Sequence, residues 1–402
     1  MHKSSNYSKM LVLLIVISIF TKELFSGNIG GVSIDFFAYG VSTVLFINYF
    51  MHFHSNQKII NFLIYAVITA LFSILIFDLE WFPFFKAIVP IFIIYLSTYF
   101  VIRKHAQFLP KIVDTYINIA YITAIFGILQ LILSFMGINI LIKIPHRIDS
   151  IAYEPSHYAA IIMPAVILTV FQYKKYKRKA VILLTALIGT VSLTSYVVFI
   201  LIWAFPRLTN RSAIIAIPLA LVSMFYLQTF NLNFSQRFLS AEEVIMGETD
   251  ISEANGTVLS FGTNLEVALF TIKKSPIWGS GIGGHESMYK KYYAGKIFED
   301  SFYYGMNQKS AHSLTIRILS ELGVLGLLIY VSFLFKTYIK RSDDLFHHLV
   351  SLACLSHFAV KSFKLGGYID YGTPFFFCLL IVNYMVFRSK KKIFIKRKYL
   401  PK

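Results

Sequence analysis

Charge is what this sequence has least of. Of its 402 residues only 14% are Asp, Glu, Lys or Arg, while 56% are hydrophobic. A water-facing domain carries nearer a quarter of its residues as charges, so this chain cannot cover a soluble surface. Cysteine is almost absent. Cys354 and Cys378 both lie inside apolar runs, which excludes a disulfide framework and any cysteine-based metal spacing. No nucleophilic serine elbow, H-E-x-x-H or P-loop occurs. No internal repeat or low-complexity tract is visible either.

What is present is apolar length. Runs of about 18 or more apolar residues recur throughout, the mark of membrane-spanning helices. The spans read as 10–26, 32–51, 59–77, 84–102, 111–137, 151–172, 180–206, 212–230, 313–337, 347–365 and 372–388. Backbone polar groups in lipid must bond internally, so each is taken as a helix. The expected fold class is therefore all-α, a single polytopic membrane domain over residues 1–402. The N-terminus is short and basic with no cleavage site, which reads as a first span and not a removed signal. The net charge of +18 raises nucleic acid as a partner. The positions of the charges answer it. Lys174, Lys175, Lys177, Arg178 and Lys179 crowd one connector and 388–402 is a basic tail, as cytoplasmic anchors are.

Orientation follows from those anchors and meets a conflict. If 180–206 crosses once, the long polar interval 231–312 is cytoplasmic. Span 313–337 then starts inside and ends at Lys336, Lys340 and Arg341, which must also be inside. The conflict goes if 180–206 crosses twice, turning near Ser192–Ser195. Legs of about 13 residues reach only about 20 Å, short of a 30 Å core, so they should be broken or re-entrant. About 12 spans result, with both termini cytoplasmic. Segments 27–31, 78–83, 138–150, 231–312 and 366–371 then lie outside. Interval 231–312 holds 9 of the 20 acidic residues but only 7 of the 38 basic ones, as a translocated loop should.

Within that interval Ser240-Ala-Glu-Glu243 and Thr263-Asn-Leu-Glu266 fit capping boxes. The second should open a helix that turns Leu265, Leu269 and Ile272 to one side and stops at Pro276. Gly279 to Gly284 matches G-x-G-x-x-G, but no βαβ unit surrounds it, so tight turns are the plainer reading. His52-x-His54 and His347-His348 read as histidines on cytoplasmic connectors without further metal ligands.

Ionisable groups near the expected outer face are the candidates for chemistry, because charge at membrane depth is costly. Arg147 precedes a span, and Glu154, Ser156 and His157 follow it. Arg237 opens the long loop and His312 closes it. Arg317 and Glu321 lie in the next span, spaced to neutralise each other as an i,i+4 pair. Glu154-Pro155 also fits a plain helix start. Arginine forks suit diphosphate oxygens, and a histidine suits general-base work. Together these point to a lipid-diphosphate substrate.

The same residues resemble the O-antigen polymerase and ligase superfamily. Arg147–Tyr158 looks like the Arg…Glu-Pro-Ser segment of the polymerases. Lys274–Gly284 looks like the Pro…Gly-x-Gly stretch after the loop helix, and Ala311–Gly326 like the Ala-His-Asn…Glu-Leu-Gly segment. Ser313 stands where Asn is common, and LTSY at 193–196 where Ser-Arg-Gly is common. The resemblance implies a polysaccharide polymerase of the bacterial cytoplasmic membrane. Such an enzyme joins undecaprenyl-diphosphate-linked repeat units at the outer face, with a chain-length regulator and a flippase as pathway partners and no cofactor or metal. It makes His312 the candidate base, with Glu154 as alternative or orienter. Arg147, Arg237 and Arg317, with Ser156 and His157, would hold diphosphate or sugar. A ligase that transfers finished polymer is the near alternative. A flippase or transporter, or an envelope scaffold, is the alternative from another class.

Overall fold

A computed structural model describes residues 2–29, 32–50, 57–142, 144–152, 154–204, 236, 239–240, 242–244, 246–296 and 304–398. Span 212–230, Arg237 and the His52-x-His54 pair lie outside the described residues. The rest is helical: α1 (His2–Ile17), α2 (Phe36–Phe50), α3 (Gln57–Phe77), α4 (Trp81–Lys104), α5 (Leu109–Phe135), α6 (Pro155–Phe171), α7 (Tyr173–Gly189) and α8 (Leu193–Ala204). After the break come α9 (Gly256–Lys274), α10 (His285–Tyr293), α11 (Leu314–Thr337), α12 (Leu345–Phe363) and α13 (Thr373–Lys398). One antiparallel hairpin pairs β1 (Ser26–Ile29) with β2 (Val32–Asp35), where the sequence reads as the connector 27–31 and the start of the span after it.

Among the described residues, three helical stretches are long and apolar enough to cross a membrane. They are Trp81–Lys104, Ala106–Phe135 and Leu314–Thr337. Shorter apolar stretches occupy α2, α3, α6 and α8. The expected long span at 180–206 is two helices, broken at Thr190–Ser192. The basic run Lys174–Lys179 is no loose connector, since it forms the first turns of α7.

Helix α6 is the axis of the core. Apolar on all sides, it buries 14 of its 17 residues, mainly against α12 and α7. Pro155 sits at its first turn after an extended Glu154, where the missing N–H costs nothing. Pro164 has no N–H for the Ala160 carbonyl. That carbonyl instead takes the Nδ1–H of His357 from α12 at 3.0 Å, and Tyr116 of α5 donates to the Ile161 carbonyl at 2.5 Å. His347 and His348 are also buried in α12 and not on an exposed connector. His347 Nδ1 lies 2.7 Å from the Asn383 amide oxygen, and His348 Nδ1 lies 2.7 Å from the Ile339 carbonyl.

Helix α11 is bent by design. Gly323 has φ 68°, which interrupts the ladder. The groups this frees are met from outside the helix. The Val324 N–H donates to the Pro276 carbonyl at 2.8 Å, and the Ser320 carbonyl accepts the Ser280 N–H at 2.8 Å. Tyr65 donates to the Leu322 carbonyl at 2.8 Å. A Cβ on Gly323 would stand 2.3 Å from the Ile277 carbonyl oxygen, and one on Gly279 (φ 65°) 2.5 Å from that of Ser320. The tight turns expected at 279–284 are therefore present, and they lock the 256–293 segment onto α11.

Candidate functional site

A cavity of about 810 Å³ opens at one end of the bundle. Its walls come from Lys22 in the turn after α1, Tyr39 of α2, residues 78–91 at and before the start of α4, the start of α6, the α9–α11 segment and the 364–371 connector. Glu154, His157, His312 and Arg317 all line it. With Glu321, which lines it too, five of the sequence candidates thus meet although up to 167 positions separate them. Pockets of this size suit ligands that are largely enclosed.

His312 stands at the junction of α11 and the long loop. Ala311 and His312 both hold left-handed backbone, φ 55° and 57°. For non-glycine residues this costs on the order of 1–3 kcal/mol each and persists only where the surroundings enforce it. The enforcement is visible: the His312 carbonyl accepts the Leu365 N–H at 2.7 Å. The ring lies edge-on to Phe261, centroids 5.7 Å apart, and Nδ1 meets Ser260 Oγ at 2.9 Å. Burial and then the nearby Lys364 ammonium push its pKa down to about 4, against a smaller opposing pull from Glu154. The ring is therefore neutral at pH 7.

Glu154 caps the start of α6 without a side-chain cap bond. Its Oε2 accepts from Lys364 Nζ at 3.2 Å and from Ser156 Oγ at 3.1 Å, with His157 Nε2 at 3.8 Å. Burial opposes the negative charge, yet Lys364 and His157 hold the carboxyl well below the usual range. Its contacts are those of a partner for the Lys364 cation. Ser156 is buried, bonds to Glu154 and does not line the cavity.

Arg317 and Glu321 form the i,i+4 pair that their spacing allows, Nε to Oε1 at 3.1 Å. The guanidinium also reaches the Gly366 carbonyl at 3.3 Å and lies 4.4 Å over the Tyr368 ring. Arg147, by contrast, is not brought into this cavity. Its Nε donates to the Thr190 carbonyl at 3.0 Å and an Nη to that of Val191 at 2.9 Å. The last carbonyls of α7 lack helical partners, and a cation at a helix C-terminus satisfies them and its dipole.

The cations that replace Arg147 here are lysines. Lys22 pairs with Asp370 at 2.5 Å, and both line the cavity beside Lys364. A signal for them is in the sequence. Lys22 and Lys364 sit at the span ends where the topology wants few basic residues, so they defy the anchor pattern. No such signal marks Ser260, Asn264 and His285, which a helix reversal conceals. The capping box at Thr263 is no helix start. Asn255 caps α9, accepting from the Thr257 N–H at 3.1 Å, and Thr263 donates to the Leu259 carbonyl in mid-helix. The face turned inward is Leu259, Ser260, Thr263, Asn264, Val267, Ala268 and Thr271, while Leu269 is exposed. On that inner face Asn264 Oδ1 meets His285 Nε2 at 2.9 Å.

The fold and this cavity define a helical membrane protein with a polar, charged site at one end of its bundle. Residues 180–331 match the family described as O-antigen ligase, which supports the O-antigen polymerase and ligase superfamily for this chain. The matched stretch runs from α7 into α11 and includes the glycine turn and the Ala311–Gly326 segment, but not Arg147–Tyr158. Among curated proteins none matches the chain.

Proposed function

We propose that this protein is a polysaccharide polymerase acting on lipid-diphosphate-linked repeat units at the outer face of the bacterial cytoplasmic membrane. The observation that carries the reading is the meeting of His312, Lys364 and Arg317 around one cavity. In the reaction the bond between the donor sugar's anomeric carbon and its phosphate oxygen breaks. A bond from that carbon to an acceptor hydroxyl oxygen forms. His312 takes the hydroxyl proton through Nε2 and later returns it to solvent or to the leaving diphosphate. A bound diphosphate beside His312 raises the ring's basicity, since negative charge favours the imidazolium. Lys364, Lys22 and Arg317 stabilise the negative charge that develops on the leaving group. Glu154 holds Lys364 in place between turnovers. Arg237 keeps the diphosphate role proposed for it, while Arg147 does not.

A ligase that transfers finished polymer is the second reading, favoured by the family's description. Gel analysis of surface polysaccharide separates the two. We expect His312→Ala, at normal protein level, to reduce turnover by about 10²–10⁴-fold and collapse the ladder to a single repeat. Full-length polymer stranded on its carrier lipid would establish the ligase instead. An unchanged ladder would remove His312 from the chemistry.

A further inference from the structure

His312 rests on a side-chain relay that runs back through three helices. Ser260 Oγ, 2.9 Å from His312 Nδ1, also accepts from Asn307 Nδ2 at 2.8 Å. Its own hydrogen has the Met306 carbonyl within 3.4 Å. A hydroxyl offers one hydrogen and two lone pairs. With Asn307 on one lone pair and the hydrogen turned to Met306, the remaining lone pair can only receive Nδ1–H. The lone pair of the ring is then on Nε2, on the other edge of a ring that lines the cavity. The other arrangement, Ser260 donating to Nδ1, would put the hydrogen on Nε2 and leave the ring unable to accept a proton on its cavity side.

The serine is itself fixed. Asn264, one turn along α9, sends its amide hydrogens to the Ser260 carbonyl at 2.6 Å and the Met306 carbonyl at 3.1 Å. Its oxygen must therefore accept, and the donor is His285 Nε2–H at 2.9 Å. Neutral His285 then accepts from Ser320 Oγ at Nδ1, 2.8 Å away on α11. The 306–307 turn and α9 are thus tied to α10 and α11, and Ser260 is held against His312 from both sides.

We propose that Ser260 is the positioning residue for His312, taking its Nδ1 proton so that Nε2 faces the cavity as the acceptor. This rests on the reading of His312 as the base. The choice of a neutral partner has a consequence. A carboxylate at this place would raise the ring's basicity whether or not substrate is bound, whereas a serine leaves that basicity to the charge of the bound substrate.

The test uses the full chain in lipid nanodiscs, with lipid-linked glycan extracted from cells that lack this protein. Ser260→Ala should lower kcat by about 10–100-fold with KM within about twofold. Ser260→Asp should retain activity but move the acidic limb of the kcat/KM profile to higher pH, which a merely structural serine would not do. Wild-type protein with ¹⁵N-labelled imidazoles should show a signal, absent in His312→Ala, with Nδ1 protonated. If His312→Ala is inactive while Ser260→Ala keeps the wild-type kcat and pH limb, the positioning role fails and the base reading survives. If His312→Ala is fully active, both fail. Should Ser260→Ala not fold, the ¹⁵N signal decides alone, and a proton on Nε2 overturns the proposal.

Discussion

Lys361 in α12 and Arg317 in α11 are both cations within apolar helices, and they are accommodated by opposite means. The Lys361 ammonium is wholly enclosed. It donates to the Gly367 carbonyl at 2.5 Å and to Thr373 Oγ1 at 2.6 Å, both in or beside the connector that follows its own helix. Arg317 leans on a carboxylate and a ring, and its side chain stays 12% exposed at the cavity edge. One region uses its charge to fold a loop of neutral oxygens. The other keeps a charge at a polar cavity, half-neutralised and able to meet an anion. A buried cation is thus a functional signal only where some of its donors still face an open space.

Breaking the Arg317 side should cost most. Glu321→Leu leaves the guanidinium without its carboxylate in a site where Glu321 is 1% exposed. A loss of about 3–5 kcal/mol in unfolding free energy is expected, with most of it restored in the Arg317→Met/Glu321→Leu double variant. Activity should not return in that double variant. A neutral single substitution would show that the pair is solvated. On the Lys361 side, Lys361→Met strands the Gly367 carbonyl and takes a donor from the Thr373 hydroxyl, which keeps its bond to the Asp370 carbonyl at 2.6 Å. About 1–3 kcal/mol should be lost, and activity should fall only as far as the folded fraction does. A kcat defect in fully folded protein would make Lys361 part of the site.

The histidines of the α9–α11 region sharpen the contrast through pH. Burial, then the Arg317 charge, pushes the His285 pKa down to about 3, and His312 lies at about 4. In the unfolded chain both titrate near about 6.5. Stability is therefore full above that value and falls as pH drops through it, because the unfolded chain then binds more protons. Thermal unfolding from pH 7 to pH 5 should show this fall, and His285→Gln should remove about 2 kcal/mol of it. An identical slope in that variant would mean His285 is not held neutral. The smallest effect is expected at Arg147, which caps α7 away from the cavity. Arg147→Ala should cost about 1 kcal/mol and leave kcat within about twofold. Loss of activity in well-folded Arg147→Ala protein would return that arginine to the site.

Several parts of this arrangement were legible in the chain. The break in the 180–206 run was readable from a charge conflict, and it falls at Thr190–Ser192. Glu154, His312 and Arg317 were readable as charges misplaced for lipid, and they line one cavity. Arg147 lies outside the lining of that cavity: an arginine near a membrane face has two uses, and only geometry shows that the carbonyls at 190–191 accept from it. A helix in the loop with Leu265, Leu269 and Ile272 on one side was readable, and Leu269 is exposed; that it packs inward through Ser260, Asn264 and small residues was not. In a membrane protein the usual rule of apolar inside loses its force, since lipid is as apolar as the core.

Composition alone determined that this chain is a helical membrane protein, because too few charges exist to cover it with water-facing surface. Its charge pattern sets the expectation for which connectors share an end of the bundle, since basic anchors sort one side from the other. Only the tertiary structure decided which ionisable groups meet. Residues 154, 312, 317 and 364 come together because α6, α11 and α12 place their ends around one opening. The kink at Gly323 then lets a glycine turn draw α9 and α10 over it. Whether a buried charge serves the fold or the site depends on the oxygens left around it after packing. Those oxygens come from residues far away in the chain, which no local pattern specifies.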